Sequence, residues 1–300
     1  MGDARAVEFQ MTFASTPATR AVTTLDNVWP SNTQVTISNG TNAYTYTTAA
    51  TSGEAAVGQL VPLHSQSGIF YWTIDDPGWN FSAWYPSGDA PVQNISVNVD
   101  QTATGTAETD YLGYDLLYCP PTPASFWDVV PLTFYHQMTR VLVSLNTDAT
   151  DAKEKVTNVE FGGGKLNLAG TITTLGTTGD GGTTVWSVPA GTSTITMRDR
   201  TERDGEGKNA NNTYVYECML PPQEVNDFTM SLVKITTDGS EDGVRTYTFK
   251  YALQLQAGYQ TTYRLVLSEA GVVGIPTVQV MEWGSTESLN GTATIPDAGY

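Results

Sequence analysis

Lysine and arginine are absent from residues 21–139, a run of 119 residues that carries ten carboxylates (Asp26, Glu54, Asp75, Asp76, Asp89, Asp100, Glu108, Asp110, Asp115 and Asp128). Ordinary domains are about a quarter charged with both signs mixed, whereas this chain is 15% charged, with 14 basic and 31 acidic residues and a formal net charge of −17. That deficit excludes nucleic acid and anionic membrane as partners, since both are bound through clustered Lys and Arg. Arg20 therefore stands alone, followed by Ala21, between one strand-like segment and the rest of the first half. An Arg-specific protease cutting there would meet no other basic residue before Arg140. Chance in a chain of low charge accounts for the gap equally well at this level.

Other residue types are scarce too. Two cysteines, Cys119 and Cys218, are too few for a disulfide framework; they fit one bridge or, better, two separately buried thiols. The two histidines leave little room for a nucleophilic triad. His64 lies in a loop-like context with no Gly-x-Ser-x-Gly elbow, and His136 sits in an apolar row, where a satisfied core or interface histidine is the better reading. Metal-ligand spacing is also lacking. No enzyme activity, metal or cofactor is expected. No apolar stretch approaches the ~20 residues that span a bilayer. Polarity comes from Thr, Ser, Asn and Gln, which reads as an extracellular surface, and the opening Met1-Gly2-Asp3 reads as a replacement for a native leader.

What the chain does have is period two. Val7, Phe9, Met11 and Phe13 alternate with Glu8, Gln10 and Thr12, the mark of a strand with one buried face. Similar short runs follow at 34–38, 43–48, 69–74, 79–85, 95–99 and 114–119. After the Pro-rich segment 120–123 they resume at 132–145, 156–161, 170–174, 184–188, 193–197, 213–220, 228–236, 245–256, 260–268 and 277–283. With 28 Gly and 15 Pro punctuating these runs, the pattern predicts an all-β chain of antiparallel sandwiches. The boundary is placed near Trp127, giving domains 1–127 and 128–300. Run 132–145 is unusual: its apolar residues fall on even numbers through Met138 and on odd numbers from Val141. A one-residue shift flips faces, so a bulge or bend is expected near Thr139-Arg140.

Two readings of function remain. Trp72, Trp79, Trp84 and Tyr85 crowd the first half and could form a flat sugar-stacking platform, although aromatics of this size more often fill cores. The alternative is assembly, in which a sandwich stripped of its first strand accepts a strand from another chain. The strand of Val7, Phe9, Met11 and Phe13 is the removable candidate, with Arg20-Ala21 in a Thr/Pro/Ala-rich linker behind it. A donor candidate is the tail row Leu289, Gly291, Ala293 and Ile295, just after the run holding Val278 and Val280. A disordered end fits the tail as well.

Four segments carry a family resemblance: 81–86 with Phe81, Trp84, Tyr85 and Pro86; 131–143 with Phe134, His136 and Arg140; 255–263 with Gly258 and Tyr263; and 278–283 ending at Trp283. In this order they resemble the Mfa-like fimbrillin family, the type V pilins of Bacteroidetes. The resemblance implies two transthyretin-like β-sandwich domains, export as a lipoprotein precursor, and location in an outer-membrane-associated fimbrium. It also implies processing at Arg20-Ala21 and polymerisation with other pilin subunits by β-strand addition, the donor being 278–283 with the tail to Ile295. A surface glycan or protein is the expected adhesion partner. Two features depart from the family: no lipobox cysteine is present, and the tail row is poor in bulky residues. The alternative function is a monomeric surface lipoprotein that binds glycans through its tryptophans.

Overall fold

The computed structural model describes residues 5–14, 29–49, 57–64, 67–72, 78–102, 111–126, 128–147, 155–201, 213–225, 233–239, 243–249, 253–268 and 271–283. Its named elements are all strands, as the period-two runs require. Two apolar cores organise them.

The first core is enclosed by a sheet that closes on itself. In spatial order its strands are Val129–His136, Glu8–Phe13, Val57–Pro62, Ala43–Thr48, Gln34–Ser38, Trp79–Tyr85 and Leu117–Ala124. Closure is made by Tyr135 and His136 pairing with Tyr118 and Leu117. The second core lies between a five-stranded sheet (Arg198–Asp199, Thr213–Leu220, Thr139–Thr147, Tyr259–Ser268, Gly271–Glu282) and a four-stranded one (Ser193–Thr196, Lys155–Leu166, Val233–Gly239, Gly243–Phe249). A small sheet joins Asn94–Ser96 to Ala169–Thr174 and Val185–Ser187.

One expectation is corrected. The sheets are not wholly antiparallel: Glu8–Phe13 runs parallel to Val129–His136, and Thr139–Thr147 runs parallel to Tyr259–Ser268. Both cores draw on residues from either side of residue 127. Val129–His136 completes the first barrel, while Val97, Tyr111 and Leu116 pack into the second core. The Pro-rich segment is itself part of a strand. Pro120, Pro121 and Pro123 belong to the strand Leu117–Ala124. Pro120 and Pro121 lie where the ladder to Trp79–Tyr85 is interrupted by a bulge between Cys119 and Thr122, and Val129–His136 pairs only with the first two residues of the strand, so few N–H donors are needed along it.

The face switch expected near Thr139-Arg140 takes the form of a break at Gln137-Met138, separating Val129–His136 from Thr139–Thr147. Val130, Leu132 and Phe134 point into the first core, and Met138, Val141, Val143 and Leu145 into the second. One apolar run therefore serves two cores by changing register as it crosses between them.

The longest strand to escape the period-two reading is in the first barrel; the two- and three-residue strands Arg5–Ala6, Arg198–Asp199 and Gln223–Val225 escaped it as well. Val57–Pro62 has Gly58 at an inward position, so the alternation is interrupted where the barrel needs space: a Cβ on Gly58 would lie 3.1 Å from Met11 Cε and 3.3 Å from Trp29.

Both cysteines are free and buried, one in each core. Burial, only partly offset by hydrogen bonds from Thr122 and Thr133, pushes the Cys119 thiol up to about 11. Burial, reinforced by the nearby Glu217 charge, raises Cys218 well above its ordinary range. Thiolate is the reactive form. Native protein at pH 8 should therefore resist Ellman's reagent and titrate two thiols after denaturation; native labelling at the rate of a free thiol would contradict this packing.

Candidate functional site

The site is the seat of the first strand. Burial along Glu8–Phe13 alternates as its sequence does: Val7, Phe9, Met11 and Phe13 are 5%, 2%, 0% and 8% exposed. Their outward neighbours Glu8 and Gln10 face solvent. The strand is hydrogen-bonded on both sides. Glu8 to Phe13 pair in parallel with Val129 to Phe134, and Phe9 to Thr12 pair antiparallel with Leu60 to Val57. Two backbone bonds extend the seat, from Val7 N–H to Phe70 O at 2.9 Å and from Ala14 N–H to Phe134 O at 3.0 Å. An interior strand at the start of the chain is thus held by two ladders and four apolar side chains.

Each side chain has its own pocket. Phe9 lies edge-on to Tyr46, Phe70 and Phe81, with ring centroids 5.1, 6.1 and 5.0 Å away, the geometry aromatic quadrupoles prefer. Met11 fills the slot above Gly58. Phe13 stacks on Trp29 at 4.5 Å on one side and on the His136 imidazole at 5.5 Å on the other. Trp29, 2% exposed, follows the segment that contains Arg20-Ala21 and closes that end of the groove.

The stack continues beyond the barrel. Trp283, at the end of the last described strand, lies flat on the opposite face of His136 at 4.1 Å and 5°, and the Arg140 guanidinium sits 5.8 Å from the Trp283 ring centre. His136 Nδ1 is 2.6 Å from Asp115 Oδ1, and both residues are buried. His136 is thus an interface histidine, held by one carboxylate and two ring faces. A cavity of about 20 Å³, room for one water, lies beside it between Ala14, Thr178, Gly258 and Trp283.

Arg140 is 3% exposed and donates to Glu217 Oε2 through Nε at 3.1 Å and Nη2 at 2.7 Å. Arg200 joins the same oxygen at 3.2 Å. The first basic residue after Arg20 is therefore buried and ion-paired, on the face of Thr139–Thr147 opposite Val141 and Val143.

The tryptophans do not form a platform. Trp72 and Trp84 are 1% and 6% exposed, and Trp84 Nε1 donates to Gly88 O. Half-buried Trp79 stacks on Trp72 at 5.1 Å. Burial, with the Asp115 charge adding to it, pushes the half-buried Tyr85 hydroxyl up to about 12. Of the four aromatics, Trp72 and Trp84 are thus committed to packing, and Trp79 and Tyr85 are partly exposed. Val278 and Val280 lie half-buried in Gly271–Glu282, an outer strand of the five-stranded sheet paired with Tyr259–Ser268. Arg20, Ala21, Leu289, Ala293 and Ile295 lie outside the described residues. Trp29 was not singled out in the sequence, where only its place just after the linker could have marked it.

A family model described as fimbrillin-like matches residues 19–283. The chain belongs to the fimbrillin-like family. Solved structures similar to this fimbrillin-like chain include a proposed cell adhesion protein of Bacteroides ovatus, with TM-score 0.65, 16% identity, and coverage of 94% of this chain and 98% of that one. Another of the same description, from Bacteroides uniformis, has TM-score 0.59 and 17% identity, covering 93% and 98%. At such identities the likeness is one of fold. No curated protein matches the sequence.

If the groove is shaped around its strand, Phe9→Ala in the full fimbrillin-like chain should cost about 3–5 kcal/mol, read from urea unfolding of the first barrel. Gln10→Ala on the outward face should stay within about 0.5 kcal/mol. Equal effects at the two positions would refute this account of the seat.

Proposed function

We propose that this chain is a non-enzymatic subunit of a surface fimbrium that joins other pilin subunits by exchange of its first strand, after cleavage at Arg20-Ala21. The observation that carries this reading is the position of Glu8–Phe13: N-terminal in sequence, yet interior in a closed barrel and paired on both edges. Losing it would open the barrel between Val57–Pro62 and Val129–His136 and bare the pockets of Val7, Phe9, Met11 and Phe13. An added strand satisfies both ladders and refills the pockets, which is the physics of β-augmentation.

Charge supports a single cut. In residues 5–136 the only basic residues are Arg5 and Arg20. Cleavage after Arg5 would leave the strand in place, and Arg140 beyond the barrel is buried on Glu217. Membership of the fimbrillin-like family and the adhesion descriptions of the similar structures agree with a role in surface assembly and adhesion. Export as a lipoprotein precursor to the outer membrane belongs to the same proposal. Val278–Trp283 and the tail to Ile295 would be the donor segment offered to another subunit.

Cleavage alone should not empty the groove. Four buried side chains of this kind are worth roughly 6–12 kcal/mol, so the strand stays seated until a competitor displaces it. The test is limited digestion with an Arg-specific protease, followed by a labelled peptide of residues 5–14 in excess. Cut protein should take up the label in a one-to-one complex, with release of the native fragment seen by mass spectrometry; uncut protein should not. A first cut elsewhere, or no uptake after the expected cut, would count against the reading.

A further inference from the structure

The groove described above is specific about what it will hold, and the chain's own tail does not meet its terms. Phe9 occupies a pocket walled by Tyr46, Phe70 and Phe81. Met11, fully buried, reaches to the floor at Gly58, and Phe13 fills the gap between Trp29 and His136. From these contacts we infer that the groove selects a donor strand from a different subunit, one with large apolar side chains at four alternate positions, and rejects the tail of a second copy of this chain. This rests on the strand-exchange reading and names the partner that reading requires.

The tail offers the row Leu289, Gly291, Ala293 and Ile295. Laid four on four into the pockets of Val7, Phe9, Met11 and Phe13, it places Gly291 and Ala293 in the two middle pockets whichever way the strand runs. Those are the pockets with the least exposed occupants. Interiors are close-packed, and an unfilled side-chain volume costs both transfer energy and cavity energy. Sliding by two residues brings Glu287 or Asp297 into an apolar pocket, where a carboxylate is strongly disfavoured. Sliding by one residue offers Ser288, Asn290, Thr292, Thr294 and Pro296 instead; that row is polar, and Pro296 has no N–H for the ladder. No register of residues 284–300 reproduces the native row.

The first arm of the test uses the intact chain. Val7→Leu, Phe9→Gly, Met11→Ala and Phe13→Ile together write the tail's row into the first strand. Hydrogen exchange of amides in Val57–Pro62 and Val129–His136 should accelerate at least ~1,000-fold. Amides of Thr213–Leu220 in the second core should keep their protection, which distinguishes a failed groove from a failed fold. A control with Val7→Ile and Met11→Leu keeps the bulk and should stay within about tenfold of wild type.

The second arm adds bulk to the tail. After Arg-specific cleavage, sedimentation should show self-association of a Gly291→Phe, Ala293→Met chain but not of wild type. A grafted barrel with unchanged protection overturns the inference, and so does wild-type chain that self-associates as readily as the variant. Displacement of the native strand by the labelled 5–14 peptide is scored in the same samples, so failed exchange is told apart from failed selectivity, which the first arm reads without any cut.

Discussion

The pairing of Glu8–Phe13 on both edges is the constraint on which the first half of the molecule depends. A seven-stranded sheet closes only because this strand bridges Val57–Pro62 and Val129–His136. Closure covers the edges that an open sheet would have to protect, except along Leu117–Ala124 beyond Tyr118. The four inward side chains also complete a core rich in rings, in which Phe9 touches Tyr46, Phe70 and Phe81. Loss of this strand would break two ladders and uncover four pockets, unless another strand takes its place. A subunit that is stable before assembly and reactive during it needs that combination.

The same strand reaches the second core through its last side chain. Trp29, Phe13, His136 and Trp283 form a continuous face-to-face column that crosses from the barrel to the outer strand of the five-stranded sheet. Histidine suits the middle of that column because it stacks like an aromatic and still hydrogen-bonds Asp115. The seated strand, through Phe13, and the last described strand, through Trp283 just past its end, therefore meet on the two faces of one imidazole. Buried Arg140 closes the column on the far side and is itself neutralised by Glu217.

Much of this was legible in residues 7–13 and in the run 132–145. Alternation identified the seated strand and its buried face, because side-chain period is a local property of extended backbone. The shift from even to odd apolar positions flagged a break, and the structure puts it at Gln137-Met138. Less visible were elements whose reason lies elsewhere in space. Val57–Pro62 hides its inward face behind Gly58, which is small to make room for Met11 and Trp29. Leu117–Ala124 carries three prolines, which its bulge and partly unpaired side accommodate. The aromatic cluster of Trp72, Trp79, Trp84 and Tyr85 has one composition whether it faces sugar or core, and only packing distinguishes the two.

The chain's sequence alone determined that it is all-β, acidic, poor in catalytic side chains and free of basic residues from 21 to 139, because composition and period two are written residue by residue. Tertiary structure alone decided that the first strand is interior rather than peripheral, that one of its two ladders is parallel, and that His136 joins two cores. Those facts depend on which strands become neighbours. That choice is made by cores closing around non-local contacts, and no local window of sequence contains it.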